Sequence, residues 1–181
     1  MKILGIILII IVAGIAFGIR TYNRFVQSKE MVQNAMGQIA AQVESRWDAL
    51  TSLIQATKNY QAHERETLVE VVQSRQGLTR QAKVKEVSQD DALFEKALSN
   101  VQLLVERYPE LKADNLYQKT MESVNTYENN VRQARMIFND TVTKYNRSIK
   151  VFPNSLIAGM TGFHPEEYFE ATSSKKDMPQ W

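Results

Sequence analysis

Hydrophobic side chains fall into two regimes along this chain. Residues 3–19 read ILGIILIIIVAGIAFGI, with no charged or strongly hydrogen-bonding side chain among them. From Thr21 onward the apolar positions recur at steps of three and four, the spacing that lines up side chains on one face of an α-helix. The unbroken run predicts a helix that is apolar all round. At about 1.5 Å per residue it extends roughly 25 Å, near the lower limit for crossing a hydrocarbon core. Lys2 and the small residues around Gly14-Ile15-Ala16 also occur in cleaved secretory signals, but here the apolar run continues through Phe17 and Ile19. That continuation favours an uncleaved anchor.

The amphipathic part divides into four helices. The first is expected over 20–62, continuous with the anchor because no proline interrupts it, and its seam is Phe25, Val32, Met36, Ile39, Val43, Trp47, Leu50, Ile54 and Thr57. One extra four-residue step between Met36 and Trp47 resembles a stutter in a heptad seam. The second is expected over 64–84, with Leu68, Val69, Val72 and Leu78 as its apolar residues. The third is expected over 88–107, with Ser88 as its N-cap, Asp90 and Asp91 as acids in the first turn, and Pro109 as its stop. The fourth, 111–151, alternates steps of four and three through Tyr117, Met121, Val124, Glu128, Val131, Arg135, Phe138, Val142, Tyr145, Ile149 and Phe152. The pattern predicts an all-α chain: a transmembrane anchor at 1–20, an antiparallel helical body at 21–170, and a disordered tail at 171–181. Antiparallel connection returns the uncharged segment Phe152–Phe163 towards the membrane. Capping the bundle end is its expected role, with dipping into the interface as the alternative.

Charge changes this picture in one place. Glu128 and Arg135 occupy seam positions of the fourth helix, and Arg46 and Asp48 lie near the opposing seam. A charge on a seam must be paired or partly wet. Arg46, Asp48, Glu128 and Arg135 are therefore a candidate buried polar network, either an ionic layer that sets helix register or a polar ligand site. The basic stretch from Arg75 to Gln89 fits a solvated helix end and turn. With 22 basic and 20 acidic residues the net charge is +2, so no nucleic-acid partner is called for. Lys2 stands on one side of the anchor and Arg20, Arg24 and Lys29 on the other, which leans the body towards the cytoplasmic face of an inner membrane. Gly14 and Gly18 form a small-xxx-small step suited to close helix packing, and hence to a homo-oligomer.

Catalytic chemistry finds little footing. The absence of cysteine removes disulfides, thiolate metal sites and thiol nucleophiles. His63-Glu64 begins like a zinc-protease helix, but Thr67 stands where the second histidine belongs, so two ligands do not share one face. No glycine-rich phosphate loop follows a strand pattern. No catalytic, cofactor-binding or metal-binding residue is assigned. Tyr60, His63 and Glu64 remain a candidate polar cluster.

Several short stretches together resemble the LemA family. They are Tyr22-Asn23, Gln38-Ile39 with Gln42, Asn59-Tyr60-Gln61-Ala62-His63-Glu64 with Thr67-Leu68, and Tyr108-Pro109-Glu110-Leu111-Lys112-Ala113. Glu128-Asn129, Arg135, Phe138-Asn139, Tyr145-Asn146, Phe152-Pro153 and Phe163 follow in order. The chain departs from the family at Thr51-Ser52, where proline–asparagine is usual, and at Trp47, where tyrosine is usual. The resemblance implies an N-terminal anchor followed by an up-and-down four-helix bundle, without an established activity. It also implies protein partners among membrane proteases or other membrane proteins. The expected role is a membrane-anchored, non-enzymatic scaffold or adaptor. The alternative is a membrane-linked sensor or regulator that binds a ligand within or on the bundle.

Overall fold

The computed structural model describes residues 2–56 and 77–170. The protein is all-α there, with five helices: α1 (Lys2–Ala56), α2 (Val84–Arg107), α3 (Pro109–Lys112), α4 (Asn115–Lys150) and α5 (Asn154–Thr161). No strand occurs among the described residues.

α1 is one uninterrupted helix of 55 residues, about 80 Å long at 1.5 Å per residue. Residues 3–17 are exposed, and cover begins only at Gly18, which is half-buried, and Thr21, which is buried. By length and composition the first part of α1 can cross a membrane. Leaving one large apolar side chain in water forfeits roughly 1.5–3 kcal/mol, and more than ten stand uncovered here. Beyond Thr21 the buried face carries Phe25, Val32, Met36, Ile39, Val43, Trp47, Leu50 and Ile54, the seam expected from the sequence, with Ala35, Ala49 and Leu53 beside it.

α4 packs against this face along most of its length and runs antiparallel to α1. Arg46 meets Glu128, and Lys29 meets Glu166 beyond the far end of α4. α2 runs in the same sense as α1. A Cβ added at Gly37 would lie 3.3 Å from the Cβ of Arg80, just before α2, whereas Arg46 and Trp47 reach Asp90 within it. The directions are thus up for α1 and α2 and down for α4, as an up-and-down bundle requires. The expected second helix, 64–84, falls largely outside the described residues, as do Thr57 at the end of the first seam and the tail from 171.

Several helix boundaries differ from the sequence reading. Residues 77–83 form a turn, in which the Ala82 amide donates to the Thr79 carbonyl (3.0 Å) and the Gln81 amide to the Thr79 hydroxyl (3.2 Å). A threonine side chain that takes up a nearby amide in this way favours a turn over a helix. α2 then starts at Val84, four residues before the expected Ser88. Its start is fixed by Glu86, whose carboxylate reaches back to accept the Lys83 amide at 3.1 Å. Ser88 sits inside the helix and donates to the Val84 carbonyl. Pro109 both ends α2 and occupies the first position of the single-turn α3, where its missing amide costs nothing. Asp114 caps α4 by accepting the Leu116 and Tyr117 amides at 2.6 and 3.3 Å, so α4 begins at Asn115 instead of residue 111. The seam of α4 stops at Ile149, because the helix ends at Lys150 and leaves Phe152 79% exposed.

After α4 the chain makes α5, closed by Gly162 in the left-handed conformation (φ 74°), a position that glycine occupies without a Cβ penalty. α5 packs against both α1 and α4. Ala158, Ile157 and Phe163 join the core there, and the Phe163 ring meets Tyr22 at 5.7 Å and Phe25 at 5.3 Å edge-on. Residues 164–170 then run back along α4 as a strap. Asn146 exchanges two hydrogen bonds with the backbone of Glu166 (2.9 and 2.8 Å), and Asn139 does the same with Phe169 (2.8 and 2.9 Å). The Tyr145 hydroxyl donates to the His164 carbonyl at 2.9 Å. Seven residues of helix rise about 10.5 Å, and three residues of extended chain cover about 10 Å. Asparagines seven apart therefore match strap residues three apart.

Candidate functional site

The polar network lies where α1, α2 and α4 meet. Arg46 is only 2% exposed, because its place on α1 falls between Val43, Trp47 and Leu50, all buried. Its Nη1 donates to Glu128 Oε2 at 2.9 Å, and its Nη2 to Asp90 Oδ2 at 3.2 Å and Asp91 Oδ1 at 3.0 Å. The guanidinium lies 4.1 Å above the centre of the Phe94 ring. Trp47 closes the inner side: its ring stands edge-on to Phe94 at 5.3 Å, and its Nε1 donates to both oxygens of Asp90, at 3.0 and 2.9 Å. Asp91 bridges outward, accepting from Arg46 on one oxygen and from Arg135 on the other. Arg135 in turn lies 5.1 Å from the ring of Phe169 on the strap. At the rim, Arg132 approaches Glu128 at 3.7 Å.

Three carboxylates thus surround one deeply buried guanidinium, with a second guanidinium at the edge. Burial pushes the Asp90 carboxyl above its ordinary value, while the Trp47 hydrogen bond and the Arg46 charge oppose that rise. Desolvation is the larger influence, as expected for an acid 5% exposed. The Nε atoms of Arg46 and Arg135 are buried without an acceptor. Each guanidinium is therefore held through its terminal nitrogens and its stacking on a ring.

Of the residues singled out in the sequence, the structure brings Arg46, Glu128 and Arg135 together. It does not bring Asp48 with them. Two residues on a helix is about 200° of rotation, so Asp48 points away from Arg46 and is exposed. It borders a shallow cleft between α1 and α4 with Ser45, Ser52, Lys119 and Tyr127. Asp90 and Asp91 hold the acidic positions. With α2 starting at Val84, Asp90 lies four and seven residues before Phe94 and Ala97 and shares their buried face. A helix start at Ser88 had hidden that periodicity by making both acids part of a first turn. Tyr60, His63 and Glu64 lie outside the described residues. Gly14 and Gly18 have open space where a side chain would stand. Among the described residues, no group of three His, Asp or Glu side chains is placed to hold a metal ion.

The Thr51-Ser52 pair continues α1 without a break: both hydroxyls bond back to carbonyls four residues earlier, those of Trp47 (2.8 Å) and Asp48 (3.0 Å).

Fold and network together define a class: a helical bundle tied by a buried ionic layer and carried on a helix whose first turns are of membrane-crossing length and apolarity. The LemA family profile matches residues 35–181, and the chain belongs to the LemA family. It is similar to the magnetosome protein MamQ of Magnetospirillum gryphiswaldense, with 26% identity over 92% of this chain and 71% of the relative. The magnetosome protein MamQ 2 of Paramagnetospirillum magneticum is 25% identical over 88% of this chain and 68% of its own length. Protein LemA of Metamycoplasma hominis is 24% identical over 85% and 71% respectively.

Proposed function

We propose that this protein is a membrane-anchored, non-enzymatic scaffold or adaptor that holds protein partners at a fixed distance and attitude to the bilayer. The continuity of α1 carries the reading. A body tethered by a flexible linker can sample many attitudes, whereas a helix without a proline or an irregular turn couples body and anchor as one rod. The excess of Arg20, Arg24 and Lys29 over Lys2 supports a body on the cytoplasmic side. The likeness to magnetosome proteins supports a role at a membrane, and partners would be membrane proteases or other membrane proteins. The ionic layer fits a register-setting part better than a ligand site, because its carboxylates and guanidiniums are committed to one another and to two aromatic rings.

The reading is tested with photo-activatable residues in native membranes, placed at the exposed Leu103 on α2 and at Leu116, Met136 and Ile137 on α4. An adaptor yields adducts of discrete mass from one face of the bundle. A set of positions that cross-links to nothing but lipid and water would refute it. Side is read separately: a cysteine at the exposed Gln133, the only thiol in the chain, is reacted with a membrane-impermeant reagent in intact and broken cells. Reaction before breakage would place the body outside the cytoplasm.

A further inference from the structure

The segment from Val151 to Phe163 contains no charged residue, and its inward side chains are spent on the core. Its outward ones form a separate apolar surface. Phe152 is 79% exposed, Leu156 60% and Met160 87%; four-residue spacing puts Leu156 and Met160 in one row on α5, and Phe152 stands in the turn just before it. We propose that this row inserts into the lipid interface of the leaflet from which α1 emerges, so that the body has a second, monotopic contact with the bilayer. The proposal rests on residues 3–19 being the membrane anchor.

The height of α5 above the bilayer follows from α1. Phe163 fixes the end of the segment against Tyr22 and Phe25, three and six residues beyond Ile19, or about 4.5 and 9 Å further along the helix. Interfacial helices bury their apolar face about 5–10 Å into the headgroup and acyl boundary, so α5 is held at that level. The anchor adds a pull in the same direction. Its apolar run of about 25 Å falls short of a hydrocarbon core of about 30 Å, and a short span draws its flanking residues into the interface. Basic residues near the same level agree with that placement: Arg20 and Arg24 flank Tyr22 on α1, Lys150 ends α4, and all three are exposed; long basic side chains keep their heads among lipid phosphates while their stems lie along apolar surface. Lipid is the apolar phase at this level, and it is what the row would meet.

The chain has no cysteine, so single cysteines at Leu156→Cys and Met160→Cys can carry an environment-sensitive fluorophore. Gln133→Cys, exposed on α4, is the control. Each labelled protein is reconstituted into phosphatidylcholine–phosphatidylglycerol vesicles, and vesicles are isolated by flotation. The expected result is blue-shifted emission at 156 and 160, strongly quenched by lipids with nitroxides high on the acyl chain, and water-like, unquenched emission at 133. Water-like emission at 156 and 160 in chains that float would overturn the proposal and leave the anchor intact. Blue-shifted emission that lipid nitroxides do not quench would also overturn it, showing that a second copy or another protein covers the row. Chains that fail to float would overturn the anchor and the proposal with it.

Discussion

Substituting Arg46→Met tests whether the ionic layer is a single interdependent unit. Methionine retains an apolar stem and a favourable contact with Phe94, so the change isolates the charge and its hydrogen bonds. It leaves Asp90 and Asp91 side by side, with the partly exposed Arg135 as their counter-charge among the described residues. Removing one partner of a buried ion pair costs about 3–5 kcal/mol, because the other charge stays buried without compensation. For a chain of this size that is a fall in melting temperature of roughly 6–20 °C, at about 2–4 °C per kcal/mol. The assay is a thermal melt of the full chain in mild detergent, followed by circular dichroism. The deficit should depend on pH with a defined sign. Without Arg46 the folded state holds the Asp90 proton still more tightly, so the loss is full at neutral pH and shrinks as acidification protonates that carboxyl. Adding Asp90→Asn should recover most of the loss, since the asparagine oxygen still accepts from Trp47. A deficit under about 1 kcal/mol, the scale of a solvent-exposed pair, or one unchanged on acidification, would refute the reasoning.

Three further outcomes are expected. Asp90 has a folded pKa above its unfolded 3.8, so its contribution to stability is full below that value and is lost as pH rises through the folded pKa; Asp90→Asn should flatten this fall in urea titrations between pH 3.5 and 7, and an unaltered slope would count against it. Asn146→Ala removes both hydrogen bonds to the Glu166 backbone, which is only part-buried, at about 0.5–1.5 kcal/mol per bond, and should speed amide exchange at Glu166 and Phe169 while the centre of α4 stays protected. Gly14→Leu with Gly18→Leu should weaken self-association in mild detergent, and an unchanged oligomer profile would dismiss pairing through those glycines.

The long elements were legible because their signal is periodic. Every residue from Phe25 to Ile54 assigned to the first seam is buried, and so are Tyr117, Val124, Val131, Phe138, Val142, Tyr145 and Ile149 of the last. Burying large apolar side chains dominates the energetics, and the period of three and four records it directly. Glu128 and Arg135 stood out as charges on a seam and Arg46 as one beside the opposing seam, whereas Asp48, equally near it in sequence, is exposed. What escaped was decided by short-range chemistry. Glu86 captured the Lys83 amide and moved the start of α2, and with it the assignment of Asp90 and Asp91. The strap was beyond reach as well: residues 164–170 have no periodicity, and the asparagines that bind them, Asn139 and Asn146, look like any polar residues flanking a seam. Their seven-residue separation gains meaning only once an extended segment lies beside the helix.

The uninterrupted α1 also fixes an azimuth. At 100° per residue, Gly14 and Gly18 each lie within about 20° of Phe25 around the helix. The glycine step therefore points to the side on which the body sits, and α4 and α5 already occupy that side from Thr21 upward. Two copies meeting glycine to glycine would bring both bodies over the same spot. Such a pair has to make its contact at Gly14 and the turns before it, with the two helices diverging towards the body. A bare membrane helix that ends at the bilayer surface faces no such obstruction and could lie along the whole glycine face. If α1 stays straight, the body above it would thus limit which neighbours can approach along the glycine face.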